Sequence, residues 1–342
     1  MLQWLAALFA LLGLTAASHG LSRPALAQPT RSIGVYSGRH YNTDKALYKE
    51  FTRRTGIDVR LLEAKDDALI QRVQAEGKDS PADVLVLVDA ARLDRAADLG
   101  LFQPVRSARL LREVPASLRD SRGRWFGLTR RVRAVVVNPS LLKPGVVRSY
   151  SDLAGPALKG KLCLRDRRSV YNQSLVADQL VTRGQAATAG WVRGMINNLA
   201  QPVFSSDTLL ARAVARGECG AGLVNTYYVA RMLSGESGTE DQRLARALRV
   251  VLPRPAHVNI SGAGVTASAR DPQAAQQLIE FLASPTGGRG YAEANNEYPL
   301  QGYGNNTWLQ RFGPFTSSGV SAETLGSRNA QAVQLMEAND WK

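Results

Sequence analysis

Asp83-Val-Leu-Val-Leu-Val88 is an apolar run entered through Pro81, and its reading decides the fold. It lacks the alternation of a strand with one wet face, so both faces are expected to lie under helices, as in a parallel sheet. Upstream, Ser32 to Ser37 reads as a short β-rich strand, followed by the loop Gly38-Arg39-His40-Tyr41-Asn42. Thr43-Asp44 is placed to cap a helix over Lys45 to Arg54, which sets Leu47, Tyr48 and Phe51 on one face and stops at Gly56. Ile57 to Leu62 is the next strand, and a second helix covers about Asp66 to Ala75. The chain therefore opens strand, helix, strand, helix, strand. That order predicts a doubly wound α/β sheet with ligands gathered at the strand ends.

Beyond Val88 the pattern predicts strands over Arg124 to Leu128 and Arg133 to Asn138, a short helix over residues 149–154, and a strand over Lys161 to Leu164. Helices follow near Gln173 to Val181, Ala189 to Asn198 and Thr208 to Arg216. Alternation resumes with a strand at Ala221 to Val224. Val250 to Leu252 and Val258 to Thr266 read as the last strands, and Pro272 to Ala283 and Pro285 to Ala294 as the last clear helices. Ser261-Gly-Ala-Gly264 is too short for a phosphate loop and suits a strand that changes domains.

The 342 residues suffice for two domains of ordinary size. Residues 1–27 differ in kind: Leu2 to Ala17 is almost wholly apolar, and Ala25-Leu26-Ala27 forms a small-residue cleavage site. This is the pattern of a secretory signal peptide, the apolar run being shorter than the ~20 residues a membrane span needs. Export to the periplasm, an oxidising compartment, leads us to expect a disulfide between Cys163 and Cys219, the alternative being a reduced, buried pair. Two cysteines are too few for an iron–sulfur cluster or a thiolate zinc site. The formal charge of +14 raises nucleic acid as a partner, but arginines interleave with acids from Arg92 to Asp98 and from Asp241 to Arg249, as on solvated helix faces. No nucleic-acid partner is expected. Arg130-Arg131-Val-Arg133 and Arg165-Asp-Arg-Arg168 are denser and need another explanation.

In Gly220-Ala-Gly-Leu-Val-Asn-Thr-Tyr-Tyr-Val-Ala-Arg-Met232 a short buried strand runs into a helix expected to open at Val229. Tyr227 and Tyr228 then stand at the strand-to-helix junction, where ligands collect in open α/β sheets.

Ser37-Gly-Arg-His-Tyr41, Arg168-Ser-Val-Tyr-Asn-Gln-Ser174 and Val224-Asn-Thr-Tyr-Tyr-Val-Ala230 together resemble the periplasmic ferric-iron-binding proteins of ABC importers, in particular the FutA branch of the FbpA family. The resemblance runs through nearly the whole mature chain. It implies an α/β, two-lobed periplasmic-binding-protein fold with a hinge of crossing strands. The first lobe would hold residues 28–130 and 267–342, whose C-terminal tail could touch both lobes, and the second would hold 131–266. It implies Fe(III) as the bound metal, with Tyr41 from the first lobe and Tyr171, Tyr227 and Tyr228 from the second as phenolate ligands. His40 occupies the position of a histidine ligand in some relatives. Where the FbpA branch supplies a glutamate this chain has Val88-Asp89-Ala90, which favours a tyrosine-only site and leaves Asp89 as a helix cap. The resemblance also points to Arg131 and Arg231 as groups behind the ligands, with Arg39 a weaker candidate. The implied partner is an ABC permease in the inner membrane, served by a monomer.

The chemistry agrees with that ligand set. Ferric iron is a hard cation that selects anionic oxygen, and with His19 in the signal peptide only His40 and His257 remain as imidazoles. His257 is read as structural. Four phenolates on Fe(III) leave one net negative charge, which a nearby arginine would balance. Two other readings compete. An exported hydrolase lacks a Gly-x-Ser-x-Gly elbow, so no enzyme is expected. An organic-anion-binding protein would use the basic patches and helix amino termini.

Overall fold

The computed structural model describes residues 31–39 and 42–342. The expected signal peptide, His40 and Tyr41 lie outside the described residues. The first half of the chain supplies β1 (Ser32–Ser37), α1 (Asn42–Thr55), β2 (Asp58–Glu63), α2 (Asp66–Glu76), β3 (Val84–Val88), α3 (Ala90–Asp98), α4 (Ala108–Glu113), β4 (Phe126–Val137), β5 (Leu162–Cys163) and α5 (Val170–Arg183). There follow α6 (Gln185–Asn197), α7 (Asp207–Arg216), β6 (Ala221–Asn225), α8 (Thr226–Ser234), α9 (Thr239–Arg246), β7 (Arg249–Val251) and β8 (Val258–Val265). The chain closes with α10 (Pro272–Ala283), α11 (Pro285–Glu293), α12 (Thr307–Arg311), α13 (Ala322–Ser327) and α14 (Asn329–Ala338).

The strand order is β2-β1-β3-β8-β4-β6-β5, with β7 also on β4. As the opening predicts, β1 runs parallel to β2 and to β3, and Val84 to Leu87 are fully buried. Helices cover both faces: Phe51 of α1 and Leu278 of α10 pack on one side of these strands, and Leu69 of α2 and Leu93 of α3 on the other. Around β6 the same layering recurs, with Leu175 and Trp191 from α5 and α6 on one face and Leu210 and Met232 from α7 and α8 on the other.

β4 joins the two sheets. The sequence predicts two strands here, but one strand of 12 residues runs through. Its first part, Phe126–Val132, pairs with β8, and its second, Arg133–Val137, pairs with β6 on one edge, with β7 joining Val135–Val137 on the other. The basic stretch that reads as a break stays in the strand because Arg131 and Arg133 are buried beside carboxylates. β8 lies between β3 and β4, antiparallel to both. Gly262 and Gly264 are needed there, since a Cβ would stand 2.7 Å from the Phe126 carbonyl oxygen or 2.5 Å from that of Arg124.

Three other expectations shift. α1 begins at Asn42, so Asp44 lies inside its first turn and binds Arg39 and Asn295. Residues 150–154 form a 3₁₀ turn, entered through a reciprocal Ser149–Asp152 cap. The chain also continues past Ala294 into α12, α13 and α14. α13 packs on α3 and α5, and α14 on α5 and α6. Buried Trp341 then donates from Nε1 to the Arg165 carbonyl at 2.8 Å. Among the described residues no helix is long and apolar enough to cross a membrane.

Cys163 and Cys219 form a disulfide, with Cα atoms 5.9 Å apart. It ties the end of β5 to the approach of β6 across 56 residues, a closure that on the chain-entropy account stabilises by about 4 kcal/mol. We expect the Cys163→Ala/Cys219→Ala protein to melt at lower temperature with its far-ultraviolet circular dichroism at room temperature unchanged. An equal melting temperature would show that the closure contributes nothing.

Candidate metal centre

Tyr171 is the second residue of α5, and Tyr227 and Tyr228 are the second and third of α8. Helix α8 begins at Thr226 rather than Val229, so both tyrosines sit inside its first turn. Two helix amino termini, each carrying partial positive charge, thus bring the phenols together. Tyr227 Oη donates to Tyr171 Oη at 3.1 Å, and the rings of Tyr227 and Tyr228 lie 4.3 Å apart at 32°. Tyr227 is buried, while Tyr171 and Tyr228 are partly exposed.

Three guanidiniums stand over the Tyr171 ring. Arg131 is 5.2 Å from its centroid, Arg165 5.5 Å and Arg133 5.9 Å. Arg131 and Arg133 come from β4, where a spacing of two puts both side chains on one face. Arg130 points to the other face and donates to the Pro299 carbonyl at 2.7 Å. Arg165 arrives on the loop after β5.

Each buried arginine has a carboxylate behind it. Arg131 donates to Asp89 at 3.1 Å, and both side chains are almost wholly buried. Asp89 does cap α3, accepting from Ala91 N at 3.1 Å, and also accepts from Ser174 Oγ at 2.5 Å and Asn259 Nδ2 at 2.9 Å. Its φ of 97° is one that residues with a side chain rarely adopt, at a cost of about 1–3 kcal/mol that these bonds offset. Arg133 donates to Asp207, the first residue of α7, and to Asn172 Oδ1 at 2.8 Å. Asp207 also accepts the Asn225 N–H at 2.8 Å and Arg165 at 3.4 Å.

Burial pulls the Arg131 guanidinium down, but Asp89 first and Tyr171 next outweigh it and hold it above its ordinary value. Arg165 shows the same balance, burial opposed by Asp207 and then by the phenols of Tyr228, Tyr171 and Tyr227. Several donors nearby are buried without a partner among the described residues: Nε of Arg131, Arg133 and Arg165, Ser169 Oγ and Asn225 Nδ2. A wall of this kind suits negative charge on the phenol oxygens. Among the described residues no group of three His, Cys, Asp or Glu is placed to hold a metal, so the candidate donors are the phenols.

The remaining candidates lie as follows. Arg231, one turn beyond Tyr227, stands 5.9 Å from that ring and 3.8 Å from Glu236. Arg39 is buried between Asp44 at 3.0 Å and Glu297 at 2.6 Å and lies 4.0 Å over the Tyr291 ring. His257 is buried next to β8, its Nδ1 3.6 Å from Asp178. Arg133 and Arg165 stand out in the sequence as members of the two basic patches but not as neighbours of Tyr171, and Asp207 and Asn172 do not stand out at all. The alternation within Arg131-Val-Arg133 was the available signal for the first of these.

Residues 37–289 match the family of bacterial extracellular solute-binding proteins. The chain belongs to this family. Iron uptake protein A1 of Synechocystis sp. is 42% identical over 317 residues, 91% of this chain and 88% of that protein. Among solved structures, Trichodesmium FutA (IdiA) in complex with iron and citrate ligands matches with a TM-score of 0.88 at 40% identity, covering 91% of this chain and 100% of that one. Apo FutA2 from Synechocystis matches with a TM-score of 0.86 at 36% identity, covering 92% and 100%. The two-lobed α/β architecture is thus that of periplasmic binding proteins.

Removing the carboxylate of Asp207 strands a buried guanidinium and frees the N–H at the start of α8. Asp207→Ala should therefore lose about 3–5 kcal/mol of stability in urea unfolding, the usual effect of breaking a buried ion pair. A loss under about 1 kcal/mol would mean that water replaces the carboxylate without cost.

Proposed function

We propose that this chain is a periplasmic ferric-iron-binding protein that captures Fe(III) on tyrosinates and delivers it to an ABC permease of the inner membrane. The observation that carries this reading is the contact between the Tyr171 and Tyr227 hydroxyls beneath three guanidiniums. Tyr228 beside them and Tyr41, between β1 and α1 in the sequence, complete the proposed ligand set, with His40 as a further candidate. The iron-uptake names of its relatives and the iron in the Trichodesmium structure support it. The chain would work as a monomer without turnover or a nucleic-acid partner, after residues 1–27 direct its export. The lobes would be 28–130 with 267–342, and 131–266, hinged where β4 and β8 cross. Binding across the gap would favour closure by its differential affinity for the closed state.

Iron binding replaces the phenol protons. The positive wall and the two helix amino termini stand where the negative charge of iron-bound tyrosinates would fall. Tyr227→Phe or Tyr228→Phe keeps the ring and removes a donor, so iron affinity should fall by orders of magnitude while the melting temperature of the metal-free protein stays nearly constant. A phenolate-to-iron charge-transfer band in the visible should mark the wild-type complex. Unchanged iron binding in both variants would refute the site.

The pH dependence has a definite sign. Protons and iron compete for the same oxygens, so affinity falls as pH falls and loading releases protons. Titration into mild acid should bleach the band before far-ultraviolet dichroism changes, and neutralisation should restore it. If the band persists until the fold collapses, phenolate protonation does not control release.

The orphaned guanidinium nitrogens favour one second reading, an organic-anion site. Calorimetric titration with citrate separates the two: heat without iron, retained in the Tyr227→Phe/Tyr228→Phe protein, supports an anion-binding function.

A further inference from the structure

Among the described residues the phenol wall carries three buried or half-buried cations, Arg131, Arg133 and Arg165, but two carboxylates, and the surplus falls on one residue. Arg131 forms an ion pair with Asp89, and Arg133 with Asp207. Arg92, another cation whose field couples to Tyr171, is matched by Asp66 and Asp67 at 3.2 Å each. Arg231 faces Glu236. Arg165 reaches only the far oxygen of Asp207, at 3.4 Å, on a carboxylate already engaged by Arg133 and the Asn225 N–H. Its Nε is buried without a partner among the described residues, and its side chain is 20% exposed. The Arg39 group does not supply the missing positive charge, since two carboxylates share its one guanidinium.

The geometry points to Arg165 as the residue whose charge balances the iron-loaded site, and so sets its preference between ferric and ferrous iron. This rests on the ferric tyrosinate reading above. Four phenolates on Fe(III) leave one negative charge, and three arginines against Asp89 and Asp207 leave one positive charge. Reduction to Fe(II) would leave two negative charges on the metal and its ligands. A fixed cation at this distance helps the more negative complex more, because the Coulomb energy scales with the product of the charges. Arg165 is a positioning residue in this sense: its guanidinium lies 5.5 Å from the centre of the Tyr171 ring and acts on the metal through the phenolates. The backbone that presents it is held from the C-terminus, by Trp341 on its carbonyl and by Arg167 N–H on the Lys342 carbonyl at 2.8 Å.

The test compares Arg165→Gln and Arg165→Lys with wild type in three measurements: Fe(III) affinity by citrate competition, the reduction potential of the bound iron by spectroelectrochemistry, and thermal melting without metal. Loss of the charge should weaken Fe(III) binding about 10–100-fold, as for other groups one shell behind a metal. It should weaken Fe(II) binding more, so the potential falls, by about 59 mV for each further tenfold. Arg165→Lys should restore the potential. Damage that merely loosens the phenolates moves it the other way, because losing an anionic donor harms Fe(III) more than Fe(II), and Tyr228→Phe serves as that reference. Arg165→Met replaces the Gln variant if the latter does not fold. An unchanged or raised potential in the charge-free variant overturns the assignment of Arg165 while the iron site stands. Absence of a visible band in wild type loaded with Fe(III) overturns the ferric tyrosinate reading itself.

Discussion

One buried carboxylate, that of Asp207, holds the phenol wall in place. It begins α7, takes the guanidinium of Arg133 from β4, the Asn225 N–H from the end of β6, and a share of Arg165 from the loop before α5. Asn172, in the first turn of α5, accepts from the same Arg133 and donates to the Arg165 carbonyl at 2.9 Å. Three separate pieces of chain, and with them the helices that carry Tyr171, Tyr227 and Tyr228, are registered against a single charge. A buried ion pair seldom stabilises a protein more than an apolar cluster of the same volume would. Its effect here is to fix cations beside the phenol rings.

Asp89 repeats the device at a second helix. It caps α3, sits at the end of β3, and binds Arg131, two residues before Arg133 on the same strand face. Both carboxylates lie at helix amino termini, where the peptide dipoles favour negative charge. Both arginines come from β4, the strand shared by the two sheets. The element that connects the two halves of the molecule therefore also carries two of the positive charges facing the phenols. A change in how β4 passes between the sheets would move those charges relative to the tyrosines.

Much of this was legible in the residues. The apolar run ending at Val88 and the alternation before it determined an α/β sheet with helices on both faces, because periodicity and turn residues are local signals. Tyr227 and Tyr228 were legible as a pair at a strand end for the same reason, although the helix proved to start earlier: Thr226 opens it where the apolar pattern placed the first turn at Val229. Of the helices beyond Ala294, α12 and α13 are only 5 and 6 residues long, too short to show a period, and α14 buries only Ala332, Leu335 and Met336, too few to mark a face.

What the tertiary structure alone decided was the balance of charge. Arg130, Arg131 and Arg133 look alike in sequence, and the first two fall in the expected break between strands, yet alternation sends two of the three inward and one outward, and carboxylates 42 and 74 residues away make the inward pair tolerable. Neither Asp89 nor Asp207 announces its partner, since ion pairing between distant residues leaves no local pattern. The sequence determined that phenols, arginines and an exported α/β scaffold were present. Packing decided which arginines are already matched and which one is left over, because that depends on the distance between side chains that only the folded chain brings together.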